Sequence, residues 1–355
     1  MIARLDEHCA SAGTAAVVFL GGSITQGARA SDTGKTSYRA RVSAWLQARH
    51  PAAEVECHNA GIGGTGSDFG CCRLEQDVLA LRPQLVFVEF AVNDASKPET
   101  RIARSYEGIL RRLREELPDA GIVAIHTLGE GFVPAYEAGS LPPSVALHQA
   151  ICDHYGVPAI NVGEEVYRHM VAEGLAWEEF FADGAHPADR GHAHYADTII
   201  AALSSNTVGH LPPCPPPRAA QVWRSAGMIP GDRLPVGPEW IYRERHLWGI
   251  DMHEQCCAIP GVELMLPFSG RVLGLLVVRQ RMTGIIAWSV DGGPEKRCVL
   301  WDEYCPRFER ASYEVLADDL PPGAHTLKLR LTDEIPKGGS GTACDLFGAM
   351  TATFE

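Results

Sequence analysis

The sequence predicts an α/β domain built on a doubly wound, parallel five-stranded sheet, followed by an all-β domain of sandwich or jelly-roll type. Three observations carry that reading. Short apolar runs rich in β-formers alternate with amphipathic stretches over residues 17–203, as in a parallel sheet covered on both faces. A proline run, Pro212-Pro213-Cys214-Pro215-Pro216-Pro217, then interrupts the pattern, and such a run continues neither a helix nor a central strand. Beyond it come closely spaced β-like runs punctuated by glycine and proline, the habit of antiparallel sandwiches. The boundaries follow as a first domain over 1–210, a proline-rich linker over 211–220 and a second domain over 221–355.

The first strand, 17–20, runs into Gly21-Gly22-Ser23-Ile24-Thr25, which delivers a hydroxyl to a tight turn at a strand's C-terminal end. That edge is where open α/β sheets place their ligands. Residues 37–50 read as a helix carrying Val42, Trp45 and Leu46 and stopped by Pro51, and 55–58 as a strand entering the glycine-rich loop 59–66. Residues 73–81 read as helix, and 85–92 as the most strand-like run of this half, ending at Asn93-Asp94. A long helix over 100–117 puts Ile102, Tyr106, Ile109, Leu110 and Leu113 on one side and a charged, solvated face on the other. Strands at 122–128 and 157–162 and helices at 144–155, 163–174 and 188–203 complete the alternation, with a loop at 180–187. In the second domain the strands fall at 262–268, 272–279, 285–290, 297–301, 312–316, 325–331 and 346–354.

Bulk properties narrow the function. A hydrophobic content of 46% gives ample core material for two globular domains. The formal charge of −13 argues against nucleic acid and anionic membranes as partners, and leaves homo-oligomerisation open. The acidic start Met1-Ile2-Ala3-Arg4-Leu5-Asp6-Glu7 lacks an export signal's apolar segment, and no apolar run of about 18 residues follows. Eleven cysteines, two pairs of them adjacent and none spaced Cys-x-x-Cys, make a poor disulfide framework and a poor zinc pattern. They fit reduced thiols in a cytoplasm.

Ester hydrolysis through a covalent intermediate needs a nucleophile, a base, an orienting acid and donors aimed at the developing oxyanion. The first domain offers Ser23, His186, Asp183, and Gly64 with Asn93, each near a strand end. Four blocks, Gly21-Gly22-Ser23-Ile24-Thr25, Asn59-x-Gly61-x-x-Gly64, Asn93-Asp94 and Asp183-x-x-His186-Pro187, stand in order. In these blocks the chain resembles the SGNH (GDSL-type) hydrolase superfamily, whose sheet is flavodoxin-like, and in particular its carbohydrate acetylesterases. The resemblance spans about the first 205 residues and leaves the second domain unexplained.

It implies that Ser23 Oγ attacks an acyl carbon, that His186 takes its proton and that Asp183 orients and stabilises the imidazole. It also implies an oxyanion hole made of the Ser23 and Gly64 backbone N–H groups and the Asn93 amide. The expected substrate is an O-acetylated carbohydrate, with no cofactor and no metal. The alternatives are a short-chain carboxylesterase, thioesterase or lysophospholipase, acyl transfer to a sugar, or a carbohydrate-binding protein with an inactive hydrolase-like domain. Two blocks depart from the family: glycine replaces aspartate before Ser23, and Ala91 stands where glycine is usual before Asn93. Neither change removes a reacting group.

Other candidates have plainer readings. Gly63 and Gly66 compete with Gly64 for the oxyanion position, and Asp94 reads as structural. His192 and His194 could chelate a metal with His186, but no cysteine or carboxylate cluster accompanies them in the sequence. Trp240, Trp248, Trp288, Trp301 and Tyr304 could stack on sugar rings, but read first as strand and core aromatics.

Overall fold

In the first unit the three central strands form where branched or aromatic apolar residues run consecutively, since a strand covered on both faces needs no alternation. A computed structural model describes residues 2–205, 213–247 and 250–355. Its contacts divide the chain into two units, Met1–Val222 and Trp223–Glu355. The first holds strands β1 (Thr14–Gly21), β2 (Glu54–Gly61), β3 (Leu85–Glu89), β4 (Gly121–Ile125) and β5 (Ala159–Ile160). All pair in parallel, in the order β2-β1-β3-β4-β5. Every residue of β3 and β4 is buried, and the Phe19 and Phe87 rings stack at 4.6 Å across β1 and β3.

This order reverses direction between β1 and β3, which opens a crevice at their C-terminal ends. Gly21 of β1 pairs with Gly61 of β2 and with Glu89 of β3. Ser23, Gly64 and Asn93 therefore leave the sheet from one level, two to four residues past that row.

Several expectations shift. The strand expected over 85–92 ends at Glu89, and Ala91–Asp94 turns into a short helix that carries Asn93. The helix expected over 73–81 breaks at Val78, whose φ of −131° leaves the helical region, into Leu74–Asp77 and a 3₁₀ turn Leu79–Leu81. Helices at Ala3–Ala12 and Ser67–Cys72 were not anticipated. Helix Glu99–Glu116 does not simply turn its charges to solvent, because Glu107, Arg112 and Arg114 are buried on it. Glu107 accepts hydrogen bonds from the Arg218 and Ala219 N–H groups, and Arg111 donates to the Pro215 carbonyl at 2.8 Å. Residues 213–222 of the proline-rich stretch thus lie along this helix as part of the first unit, while 211 and 212 fall outside the described residues.

The second unit is antiparallel. One sheet joins β6 (Trp223–Pro230), β7 (Ile241–Leu247), β8 (Ile250–Cys257), β10 (Val272–Arg279), β13 (Arg310–Ala317) and β15 (Cys344–Phe354). The other joins β9 (Glu263–Ser269), β11 (Ile285–Val290), β12 (Lys296–Val299) and β14 (Ala324–Leu331). Alternation on β9 buries Leu264, Leu266 and Phe268 against Leu275, Val277, Leu327, Leu329 and Leu346, as expected for sheets with one inward face. Strands β6 to β8 escaped the sequence reading because Tyr242-Arg243-Glu244-Arg245-His246 carries no apolar alternation. Trp240 and Trp288 are buried in the core and Tyr304 is exposed; Trp248 lies outside the described residues.

Candidate active site

The nucleophile turn depends on two glycines with no room for a side chain. A Cβ at Gly21 would stand 2.2 Å from Thr25 Oγ1, and one at Gly22 would stand 2.1 Å from Asn93 Oδ1. Gly22 is extended at φ −91°, and Ser23 opens the short helix Ser23–Gln26, which Gly27 closes at φ 99°. Ser23 is thereby held half-buried at the sheet edge.

Its Oγ donates to His186 Nε2 at 2.7 Å, and His186 Nδ1 lies 2.9 Å from both Asp183 oxygens. The loop that supplies these two residues folds on itself. Asp183 Oδ1 accepts the backbone N–H of Ala185 at 3.0 Å and of His186 at 2.9 Å, and Trp177 Nε1 donates to the Asp183 carbonyl at 3.0 Å. Burial raises the Asp183 carboxyl, but the backbone and ring N–H of His186 and the N–H of Ala185 outweigh it and set its pKa at about 2. Arg29 Nε adds a 3.3 Å contact from a largely exposed side chain. An ionised Asp183 holds the proton on Nδ1 and leaves Nε2 free to accept from Ser23.

Asn93 packs beside this turn. Its Oδ1 faces Gly22, buried and without a hydrogen-bond partner, so Nδ2 is the amide end available for donation elsewhere. Gly64 lies exposed on the turn after β2 at φ +72°, with open space where a side chain would stand. Its rival Gly66 has a packing role, since a Cβ there would meet Lys97 Nζ at 2.0 Å and Asp94 Oδ1 at 2.3 Å. Asn59 joins the two blocks by donating to the Gln26 carbonyl at 3.3 Å and accepting the Gly61 N–H at 3.0 Å.

Beneath lies a polar layer that sequence reasoning missed. Glu89, fully buried at the end of β3, accepts from Thr25 Oγ1 at 2.9 Å and Thr127 Oγ1 at 3.1 Å, and Tyr38 donates to Thr25 at 2.7 Å. Burial pushes the Glu89 carboxyl up, against the opposing pull of those hydroxyls. Buried Arg73 donates to the carbonyls of Gly21 at 3.0 Å and Ala60 at 2.7 Å, tying the ends of β1 and β2 together. Asp94 accepts the Ser67 N–H and pairs with His148, each at 3.0 Å. The only sequence trace of this layer was the charged residue closing an otherwise apolar strand at Glu89.

The other histidines have separate duties. His192 Nδ1 accepts the Tyr38 N–H and its Nε2 donates to the Ala28 carbonyl, each at 3.2 Å. His194 stacks on His169 at 4.8 Å.

Comparison with known proteins gives the class of the protein, which is a carboxylic ester hydrolase. Residues 19–194, all within the first unit, match the GDSL-like lipase/acylhydrolase family. An acetylxylan esterase of Geobacillus stearothermophilus is 26% identical over 216 residues, which is 52% of this chain and 91% of that protein. Among solved structures, a two-domain esterase (CEX) active on acetylated mannans, co-crystallised with mannopentaose, matches 100% of this chain and 95% of its own. The identity is 22% and the TM-score 0.84. A second structure of a two-domain esterase (CEX) active on acetylated mannans gives 23% identity over 100% and 96% of the chains, with a TM-score of 0.83. The fold is therefore that of a two-domain esterase, a doubly wound sheet followed by antiparallel sheets.

Proposed function

We propose that the enzyme removes acetyl groups from O-acetylated carbohydrate by way of an acetyl-Ser23 intermediate. The observation that carries this reading is the continuous chain from Ser23 Oγ through His186 to Asp183, at 2.7 and 2.9 Å. Ser23 Oγ attacks the acetyl carbon while its proton passes to His186 Nε2. The carbonyl oxygen becomes an oxyanion facing the Ser23 and Gly64 N–H groups and Asn93 Nδ2. Collapse breaks the bond to the sugar oxygen, which leaves with the proton from His186. Water then attacks acetyl-Ser23, giving its proton to His186, and acetate departs as that proton returns to Ser23.

The acetylxylan esterase relative supports a carbohydrate ester as substrate. In this reading residues 1–210 are the catalytic domain, 211–220 a connecting segment whose described part packs on the first unit, and 221–355 an accessory domain. A cytoplasmic location accords with the odd number of cysteines, eleven, and cell fractionation tests it. Among the described residues no helix is long and apolar enough to cross a membrane.

The test is acetate release from acetylated xylo-oligosaccharides and p-nitrophenyl acetate, set beside p-nitrophenyl octanoate, with wild type and Ser23→Ala. Preference for the acetylated sugars and loss of turnover in Ser23→Ala are expected. Preference for octanoate would replace the carbohydrate substrate with a longer acyl ester, and turnover by Ser23→Ala would remove the nucleophile.

A further inference from the structure

We propose that Glu254, Cys256 and Asp345 in the second unit bind a zinc ion. Glu254 and Cys256 lie two apart on β8, so the pleat puts their side chains on one face. Asp345 on β15 is the register partner of Cys256 and points to the same side. The three are 0%, 5% and 6% exposed, and one ligand atom from each falls within 4.8 Å of the others.

A self-contained hydrogen-bonded cluster would satisfy its own atoms, and this one does not. Glu254 Oε1 is buried with no hydrogen-bond partner, a costly state for a carboxylate oxygen. Its Oε2 has a long 3.4 Å contact from Arg245, which also reaches Glu309, and the Cys256 thiol lies within hydrogen-bonding reach of both carboxylates. Asp345, by contrast, is held from behind: Gln280 Nε2 donates to Oδ2 at 2.8 Å, and Gln280 Oε1 accepts the Met282 N–H at 3.2 Å. Metal-ligating carboxylates are oriented in this way by an outer hydrogen bond.

Charge points to a dication. Two carboxylates and a thiolate carry three negative charges, Arg245 is shared between this cluster and Glu309, and a divalent ion offsets most of the charge that remains. Arg243, the β7 register partner of Glu254, is exposed and adds a weaker, water-screened positive charge near Cys256 and Asp345. A thiolate among the donors selects zinc over calcium or magnesium, which take oxygen ligands. Tetrahedral zinc, with bonds of about 2.0 to 2.3 Å, sets its donors about 3.3 to 3.8 Å apart, so a contraction of about an ångström closes this site. Water supplies the fourth ligand. The spacing of the cysteines alone could not show this, because two strands distant in sequence share the donors.

The probes are zinc and cobalt(II) on the full-length, tag-free protein. Metal content is measured after purification without chelators. The protein is then stripped with EDTA and titrated against a chromophoric chelator, with melting temperature and the thiolate-to-cobalt absorption band recorded. One ion per chain, a higher melting temperature on adding zinc and a cobalt–thiolate band are expected. Cys256→Ala and Asp345→Asn should each lose the band or bind at least about tenfold more weakly. Gln280→Ala, which spares every ligand and serves if the others fail to fold, should weaken binding about 10- to 100-fold. Wild type that takes up no stoichiometric metal, or binding unchanged in all the variants that fold, overturns the site.

Discussion

Two of the molecule's aspartate–histidine pairs have nearly equal geometry and opposite settings. Asp183 and His186 meet at 2.9 Å in a partly exposed loop with a serine hydroxyl 2.7 Å beyond the imidazole. Asp94 and His148 meet at 3.0 Å with both side chains at 0% exposure, and the imidazole stacks on Tyr106 at 3.7 Å. In both pairs burial raises the carboxyl and hydrogen bonds outweigh it, so the open Asp183 and the sealed Asp94 both end below their ordinary value. 

Pairing alone therefore does not make a reactive site. The open pair has a hydroxyl beside it and is partly exposed, while the sealed pair holds the Ser67 N–H and the loop after Gly64 in place.

The largest test of this contrast is Asp183→Asn, which keeps the loop but supplies the wrong hydrogen-bonding group to Nδ1. Turnover should fall about 10⁴-fold, with the melting temperature almost unchanged, measured by steady-state kinetics and thermal unfolding. His148→Ala should do the reverse. It removes one hydrogen-bond partner from a buried carboxylate that keeps Lys97 and the Ser67 N–H, which should cost roughly 1 to 3 kcal/mol of stability, and the folded fraction should keep its turnover number. A rate collapse at full stability would give the sealed pair a chemical role and break the contrast.

Asn93→Ala comes next. Removing one oxyanion donor should lower kcat about 10²- to 10³-fold with little change in KM; a pure KM effect would move Asn93 from transition-state stabilisation to substrate binding. The smallest effect is on pH dependence. Burial is the main cause that lowers His192, to about 4 from its ordinary 6.5. As pH falls below about 6.5 the unfolded chain takes up this proton first, so stability drops between there and about 4, by at most about 3 kcal/mol. Chemical denaturation across that range should show the slope, and His192→Asn should flatten it.

The open pair was legible in the sequence and the sealed one was not, for a physical reason. Asp183 and His186 lie three residues apart in one loop, and Gly21-Gly22-Ser23 writes its turn into the chain because only glycine fits against Thr25 and Asn93. Asp94 and His148 are 54 residues apart and Thr25 and Glu89 are 64 apart, so their meeting depends on strand order, which no local pattern specifies. The parallel strands were readable because covered strands are continuously apolar. Strands β7 and β8 were not, because their charged and polar residues interrupt the alternation that marks a strand.

The most direct test of the central claim is to quench the reaction of wild type with p-nitrophenyl acetate in acid within the first turnover and map the acetyl group by peptide mass spectrometry. The account predicts acetyl on the peptide containing Ser23, formed at a rate no slower than turnover and absent in Ser23→Ala. Sustained turnover with no acetyl on Ser23, or with acetyl on another residue at a competent rate, would contradict it.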